Sequence, residues 1–405
     1  MAGVPPQQSL LEAPPGAGIR DGGARHAGHC DRLRGTSQVD RPRRSVNNET
    51  VPNQLALDAV HRAHGAAMEE VGGWVLPRDY GDIVAEHRAV RDGAGVTDRS
   101  LVGKVTVTGR DRQAFLQGML SNEVKSLRPG QGTAAAFLDA HGKVMALLHV
   151  YVLEDRLLLE LPPGLTEKTL QLLDKFLISE KAYFEAADES FSVLGVEGPG
   201  AAAVLSALAG RSLDLVPGQH AEVSIAGAPV RVIGRSDTGG PGFHCWTMAF
   251  HGAALWRALV EAGARPVGAE ALNVLRVEAG IPWFGHDVDE TVILPETRLE
   301  HLVSYNKGCY IGQEVVARVK YRGHVNRALS GIVLDGDRVP ASGAKVVAEA
   351  KEIGWITAGA AHRARLCPPR APRPRDRRHD TGRRHLHSRA RGRAAVRHSM
   401  KGSTP

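Results

Sequence analysis

The chain has 405 residues, is 42% hydrophobic and carries a formal charge of +7 at pH 7, which suits two or three packed domains and excludes a fibrous or wholly disordered polypeptide. Thirteen arginines and two acids between Arg363 and Arg397 place +11 in that stretch and leave −4 for the rest, so the basic total does not describe the folded part or its ligand. Cys30, Cys245, Cys309 and Cys367 form no Cys-x-x-Cys pair; no disulfide framework and no zinc or iron–sulfur ligand set is visible, and a reducing compartment follows.

Residues 1–51 hold seven arginines, five acids and several prolines without a compact apolar core, and read as a disordered extension rather than a secretory signal or a mitochondrial presequence. Order begins near Leu55: ALDAVHRAHGAAM has helical spacing, an irregular GGWVLPRDYGD follows, and EHRAVRDGAG is a second helix closed by Gly93 and Gly95. KVTVTG, 104–109, alternates as a strand, and DRQAFLQGML puts Phe115, Leu116, Met119 and Leu120 on one helical face. After the loop SNEVKSLRPGQG, three strand-like runs separated by AHG and ED turns predict antiparallel sheet. One of them, 144–153, is the longest apolar run, and at about half the length of a bilayer span it predicts no membrane helix.

A helix over about 165–176 leads to a second strand and helix unit, FSVLGVEGPGAAAVLSALAG, then to short strands near Val223 and Val230 and a helix near 254–262. GAEALNVLRVEAG, 268–280, is a helix with Gly280 in the favoured position after its end. A long loop follows, and LSGIVLDG and AKVVAEAKEIGWIT open a small barrel. The strand pattern stops in mid-domain after Ala361, and 363–405 has too few aliphatic residues to offset its chain entropy. Two readings of that tail are a basic arm for RNA and out-of-frame translation. The second is favoured, because arginine appears there without the lysine used elsewhere.

The sharpest chemical signal is YNKGCYIGQEVVARVKYRG, 305–323. Gly308 and Gly312 let the backbone turn and approach a ligand, Lys307 offers a cation for a carboxylate tail, and Gln313 and Glu314 offer directed polar groups. Cys309 lies among them, where the lysine and backbone amides favour a thiolate. His61 and His64 lack a third ligand at metal-site spacing, so no metal is expected.

KGCYIGQE resembles the signature of the YgfZ branch of the T-protein, or GcvT-like, family. GGWVLPRDYGDIVAEHRAVRDGAGVTD, LQGMLSNEVKSLRPGQG and LRVEAGIPWFGHDVDE extend the resemblance over most of 55–362. It implies an α+β fold with two similar α+β subdomains and a C-terminal β-barrel, here truncated, around a folate channel. The implied divisions are 52–325 for the folate-binding domain, with 190–270 inserted and 271–325 returning to the first subdomain, and 326–362 for the start of the barrel. It implies tetrahydrofolate, or a derivative, as cofactor. Cys309 and Glu123 would be the reactive groups, with Asn122, Glu123, Arg276, Asp287, Lys307, Gly308, Gln313 and Glu314 around the folate. Two departures stand out: the family's Asn-Asp pair reads Asn122-Glu123, and Gly240 and His244 stand where its pterin-recognition segment has acids. The leading functional expectation is a monomeric, cytoplasmic protein (mitochondrial matrix in a eukaryote) that supports iron–sulfur cluster assembly or repair in client enzymes, tRNA-modifying ones included. The alternatives are a folate-dependent aminomethyl or methyl transferase and, through the tail, an RNA-binding module.

Overall fold

The computed structural model describes residues 52–334, 338–360 and the backbone of 393–399; the N-terminal extension and most of the arginine-rich tail lie outside the described residues. Two sheets, antiparallel except for one short parallel edge strand, make the body. Five strands run in the order Gly132–Leu138, Val144–Val152, Leu157–Leu161, Gly103–Thr108, Tyr183–Ala186. Six run in the order His220–Ile225, Ala228–Gly234, Gly242–Met248, Phe191–Glu197, Gly95–Asp98, Arg265–Pro266. The strand Gly95–Asp98 therefore leaves the first unit and pairs inside the second sheet, antiparallel to Phe191–Glu197.

Each sheet carries helices on one face. Arg112–Met119 and Thr166–Asp174 cover the five-stranded sheet, burying Phe115, Leu116 and Leu173 with Val105, Val150 and Leu159. Ala201–Ala209 and Gly252–Glu261 cover the six-stranded sheet through Leu205, Leu255 and Trp256. Tyr151 and Leu158 of the first sheet pack with Val193, Ile233 and Trp246 of the second, so both faces of the central strands are buried. That double burial explains why KVTVTG alternates in sequence yet has buried polar positions: Lys104, 1% exposed, donates from Nζ to the carbonyls of Ser100 and Val102 at 2.7 and 2.9 Å. Each large aliphatic side chain buried this way contributes about 2 kcal/mol.

Local signals place the other helices. Asp82 Oδ1 accepts from Val84 N and Ala85 N, both at 3.0 Å, and starts Ile83–Asp92; such a cap is worth about 1 kcal/mol. Ala269–Ala279 ends where Gly280 turns left-handed at φ 71°. The stretch expected as one N-terminal helix divides into Asp58–Ala63 and the strand Ala67–Val71. The region expected as a loop through the signature contains a helix, Gln313–Arg322. The C-terminal strands form a four-stranded sheet, Arg327–Val333, Arg393–Ser399, Lys351–Ala360, Lys345–Ala348, without a closed barrel among the described residues. Within the 363–405 tail expected to be irregular, the backbone of Arg393–Ser399 pairs antiparallel with strands on both sides.

Candidate functional site

The Asn122–Glu123 pair sits in the loop after helix Arg112–Met119 and is pinned on every side. Ser121 Oγ donates to Leu302 O at 2.6 Å and accepts from Ala136 N at 2.8 Å. Asn122 Nδ2 donates to Ala134 O and His301 O at 2.8 and 3.0 Å, and its Oδ1 accepts from Glu123 N at 2.9 Å. Glu123 accepts from Gln117 Nε2 at 2.9 Å and Ser126 N at 3.0 Å. Burial alone would raise the Glu123 carboxyl, but those donors and the Lys307 ammonium outweigh it and hold it below its ordinary value. It is ionised at neutral pH.

Lys307 is brought to this loop. Its Nζ donates to the carbonyls of Gln117, Leu120 and Asn122 at 2.6, 2.5 and 3.0 Å and lies 5.1 Å from the Tyr310 ring centroid. Burial pushes its pKa down to about 8, against the pull of Glu123. With all three ammonium protons directed at backbone, it fastens the signature segment to the Asn122–Glu123 loop. Gly312 makes the tight turn expected of it. Its φ is +81°, and a β-carbon there would stand 2.5 Å from Asp139 O, so the glycine permits packing on the turn between Leu138 and Val144. Gly308 is exposed with open space around it, Cys309 is exposed, and Gln313 and Glu314 open the helix Gln313–Arg322, Glu314 exposed.

Arg276 is 1% exposed and Asp287 fully buried. They are ion-paired, and Arg276 Nε donates to Asn273 Oδ1 at 2.9 Å. Asp287 also accepts from Trp283 N at 3.0 Å and Thr357 Oγ1 at 2.6 Å. In this structure Arg276 is paired internally, through Asp287, and the pair joins helix Ala269–Ala279 to the C-terminal sheet.

Trp283 carries the contact onward, with the Arg276 and Arg99 guanidinium carbons 4.7 and 5.4 Å from its ring centroid. Arg99 Nε meets Asp237 Oδ2 at 2.9 Å. His244, with no exposed surface, lies between Asp237 Oδ2 and Glu160 Oε2, each 3.3 Å from a ring nitrogen, and Glu160 is ion-paired with Arg235. Burial opposes the charged forms, yet Arg235 and His244 hold Glu160 well below its ordinary range, and Arg99, His244 and Arg235 do the same for Asp237. Glu160 and Asp237 raise His244 despite its burial. Glu197, 1% exposed, accepts from Ser236 Oγ, Thr238 Oγ1 and Asp237 N at 2.7, 2.8 and 2.8 Å, and burial beside Asp237 pushes it up to about 7. Glu197, Asp237 and His244 offer ligand atoms within 4.8 Å of one another, but Arg99 and His244 already compensate Asp237. Sequence reading noticed only His244 in this network. Its members come from five separated segments, and an Arg-Ser-Asp-Thr run carries no sign of the glutamate it will meet.

Comparisons with known proteins agree with this architecture. The GCVT N-terminal domain family matches residues 57–307. The aminomethyltransferase of Streptomyces avermitilis is 31% identical over 330 residues, covering 77% of this chain and 87% of that protein. The aminomethyltransferase of Chloroherpeton thalassium is 31% identical over 310 residues, covering 75% and 85%. The crystal structure of glycine cleavage system aminomethyltransferase T from Bartonella henselae superposes with a TM-score of 0.73 at 22% identity, covering 86% of this chain and 90% of that one. With the family match spanning more than half its length and both core sheets, the chain belongs to the GCVT N-terminal domain family.

Proposed function

We propose that the chain binds tetrahydrofolate and acts as an aminomethyltransferase, with Glu123 as the carboxylate at the reacting amines. The observation that supports this most directly is the ionised Glu123 in a loop fixed by Asn122, Gln117 and Lys307. Tetrahydrofolate, when bound, supplies an amine pair that takes up a one-carbon unit. Glu123 can accept a proton there or orient the amine, Gln117 holds one of its oxygens, and Lys307 prevents the loop from drifting. Neither Lys307 nor Arg276 is assigned to the glutamate tail, since both cations are compensated inside the protein. Calorimetric titration with tetrahydrofolate, alongside methylenetetrahydrofolate formation from an aminomethyl donor, tests the reading. Glu123→Gln is expected to keep affinity and lose transfer by about 10²-fold or more. A folded wild type that binds no tetrahydrofolate would sink it.

The exposed Cys309 within KGCYIGQE supports a second reading, the YgfZ-like one. Here the protein supports iron–sulfur cluster assembly or repair in client enzymes, and the glutamate replacing aspartate in the folate pair marks a site turned away from aminomethyl transfer. Under it, Cys309→Ala lowers the activity of iron–sulfur enzymes in cells while tetrahydrofolate affinity is unchanged. Undiminished client activity rejects it.

A further inference from the structure

The second half of the signature segment, away from Glu123, borders a groove that the proposed function does not call on. The short helical turns Leu294–Thr297 and Glu300–Leu302 on one side and helix Gln313–Arg322 on the other enclose a groove of about 400 Å³. Leu294, Leu299, Val303, Val319 and Val325 form its aliphatic lining, Tyr305 one wall, and Arg298 and Lys320 its cationic rim, with His324 beside them. The one acid on the rim, Glu300, is taken by Lys320 at 3.2 Å, and Lys320 also lies 5.0 Å from the Tyr305 ring centroid.

Arg298 differs from the other rim cation in its backbone. Its φ of 58° and ψ of 22° place a non-glycine residue in the left-handed region, where a β-carbon is disfavoured. Its guanidinium has no hydrogen-bond or ion-pair partner among the described residues. Glycine would satisfy that turn with less strain, and the exposed guanidinium is what arginine adds there.

We propose that this groove binds an amphipathic organic anion, a long-chain or aryl carboxylate, with its hydrocarbon body on the leucine and valine lining and its acid at Arg298. The volume falls within the ordinary range of small-molecule sites. Leucine and valine make up the body of the lining and the polar side chains stand at its rim and on the Tyr305 wall, which favours a hydrocarbon body with one acidic end.

Fluorescence titration of the full chain with anilinonaphthalene sulfonate, an amphipathic anion, tests the proposal against its uncharged parent phenylnaphthylamine. Wild type is expected to bind the anion saturably at one site, unaffected by excess tetrahydrofolate. Arg298→Gly is expected to weaken the anion about threefold to fivefold, leave the neutral probe unchanged and raise the thermal midpoint, since glycine suits the left-handed turn. Val319→Trp, which fills the groove, should remove both probes while far-ultraviolet circular dichroism stays native. No saturable binding by folded wild type, equal anion affinity in Arg298→Gly, or displacement by tetrahydrofolate overturns the proposal.

Discussion

The Asn122–Glu123 loop and the network around His244 use the same residue types and put them to opposite uses. In the loop, the lysine spends its donors on backbone carbonyls and leaves Glu123 ionised beside it without a direct ion pair. In the network, Glu160, Arg235, Asp237, Arg99 and His244 compensate one another, leaving little net charge for a ligand. On the function proposed above, chemistry falls to the first region and cohesion between the two sheets to the second. A buried ion network is costly to break, because each partner left behind is an uncompensated charge.

The largest effect should come from breaking the network. Glu160→Gln removes one of the two carboxylates that Arg235 and His244 share and leaves both cations on Asp237 alone, and we expect a loss of about 3–5 kcal/mol in denaturant unfolding. A loss below about 1 kcal/mol would refute the cohesive role. Next, Lys307→Met strips three carbonyls of their donor; about 3 kcal/mol of stability should go, together with tetrahydrofolate binding measured by calorimetry. Retained binding in a folded Lys307→Met protein would mean that the loop positions itself. A smaller effect separates the two regions by pH. Glu197 titrates near 4.5 when unfolded and near 7 when folded, so between those values the folded state holds the extra proton and stability falls as pH rises, by roughly 2 kcal/mol. Glu197→Gln should flatten that slope in unfolding curves taken from pH 4.5 to 7. Asp237 acts in the other direction, its contribution present above its ordinary range and lost on acidification. The smallest expected stability change is that of Glu123→Gln, within about 0.5 kcal/mol by thermal unfolding, because the half-buried carboxylate is partly screened. A large loss there would place Glu123 with the structural charges.

Much of this was legible in the sequence where periodicity and punctuation coincide. Helix Ala269–Ala279 follows its leucine spacing to the closing Gly280, and the paired strands Val144–Val152 and Leu157–Leu161 follow their apolar runs. Gln313–Arg322 was missed because its sequence, QEVVARVKYR, is mostly polar and only Val316 is buried. The position of Lys307 beside the folate-pair loop was foreseeable only as shared membership of one site. Its true targets lie 190, 187 and 185 residues earlier, and backbone carbonyls leave no mark in a sequence. The same limit hid the Arg276–Asp287 pairing: each residue was singled out, but nothing in the spacing says that two singled-out charges will neutralise each other.

The strand Gly95–Asp98, made early and paired late, has a consequence for synthesis. Asp98 meets Leu194, 96 residues further on. At ribosomal speeds of about 5–20 residues per second, the finished strand waits roughly 5–20 s for its neighbour. All four of its residues end up buried, so during that interval an unpaired strand edge, with its backbone donors and acceptors unmet, is open to other chains. A nascent chain stalled between those residues should therefore recruit a holding chaperone, and release past Glu197 should free it.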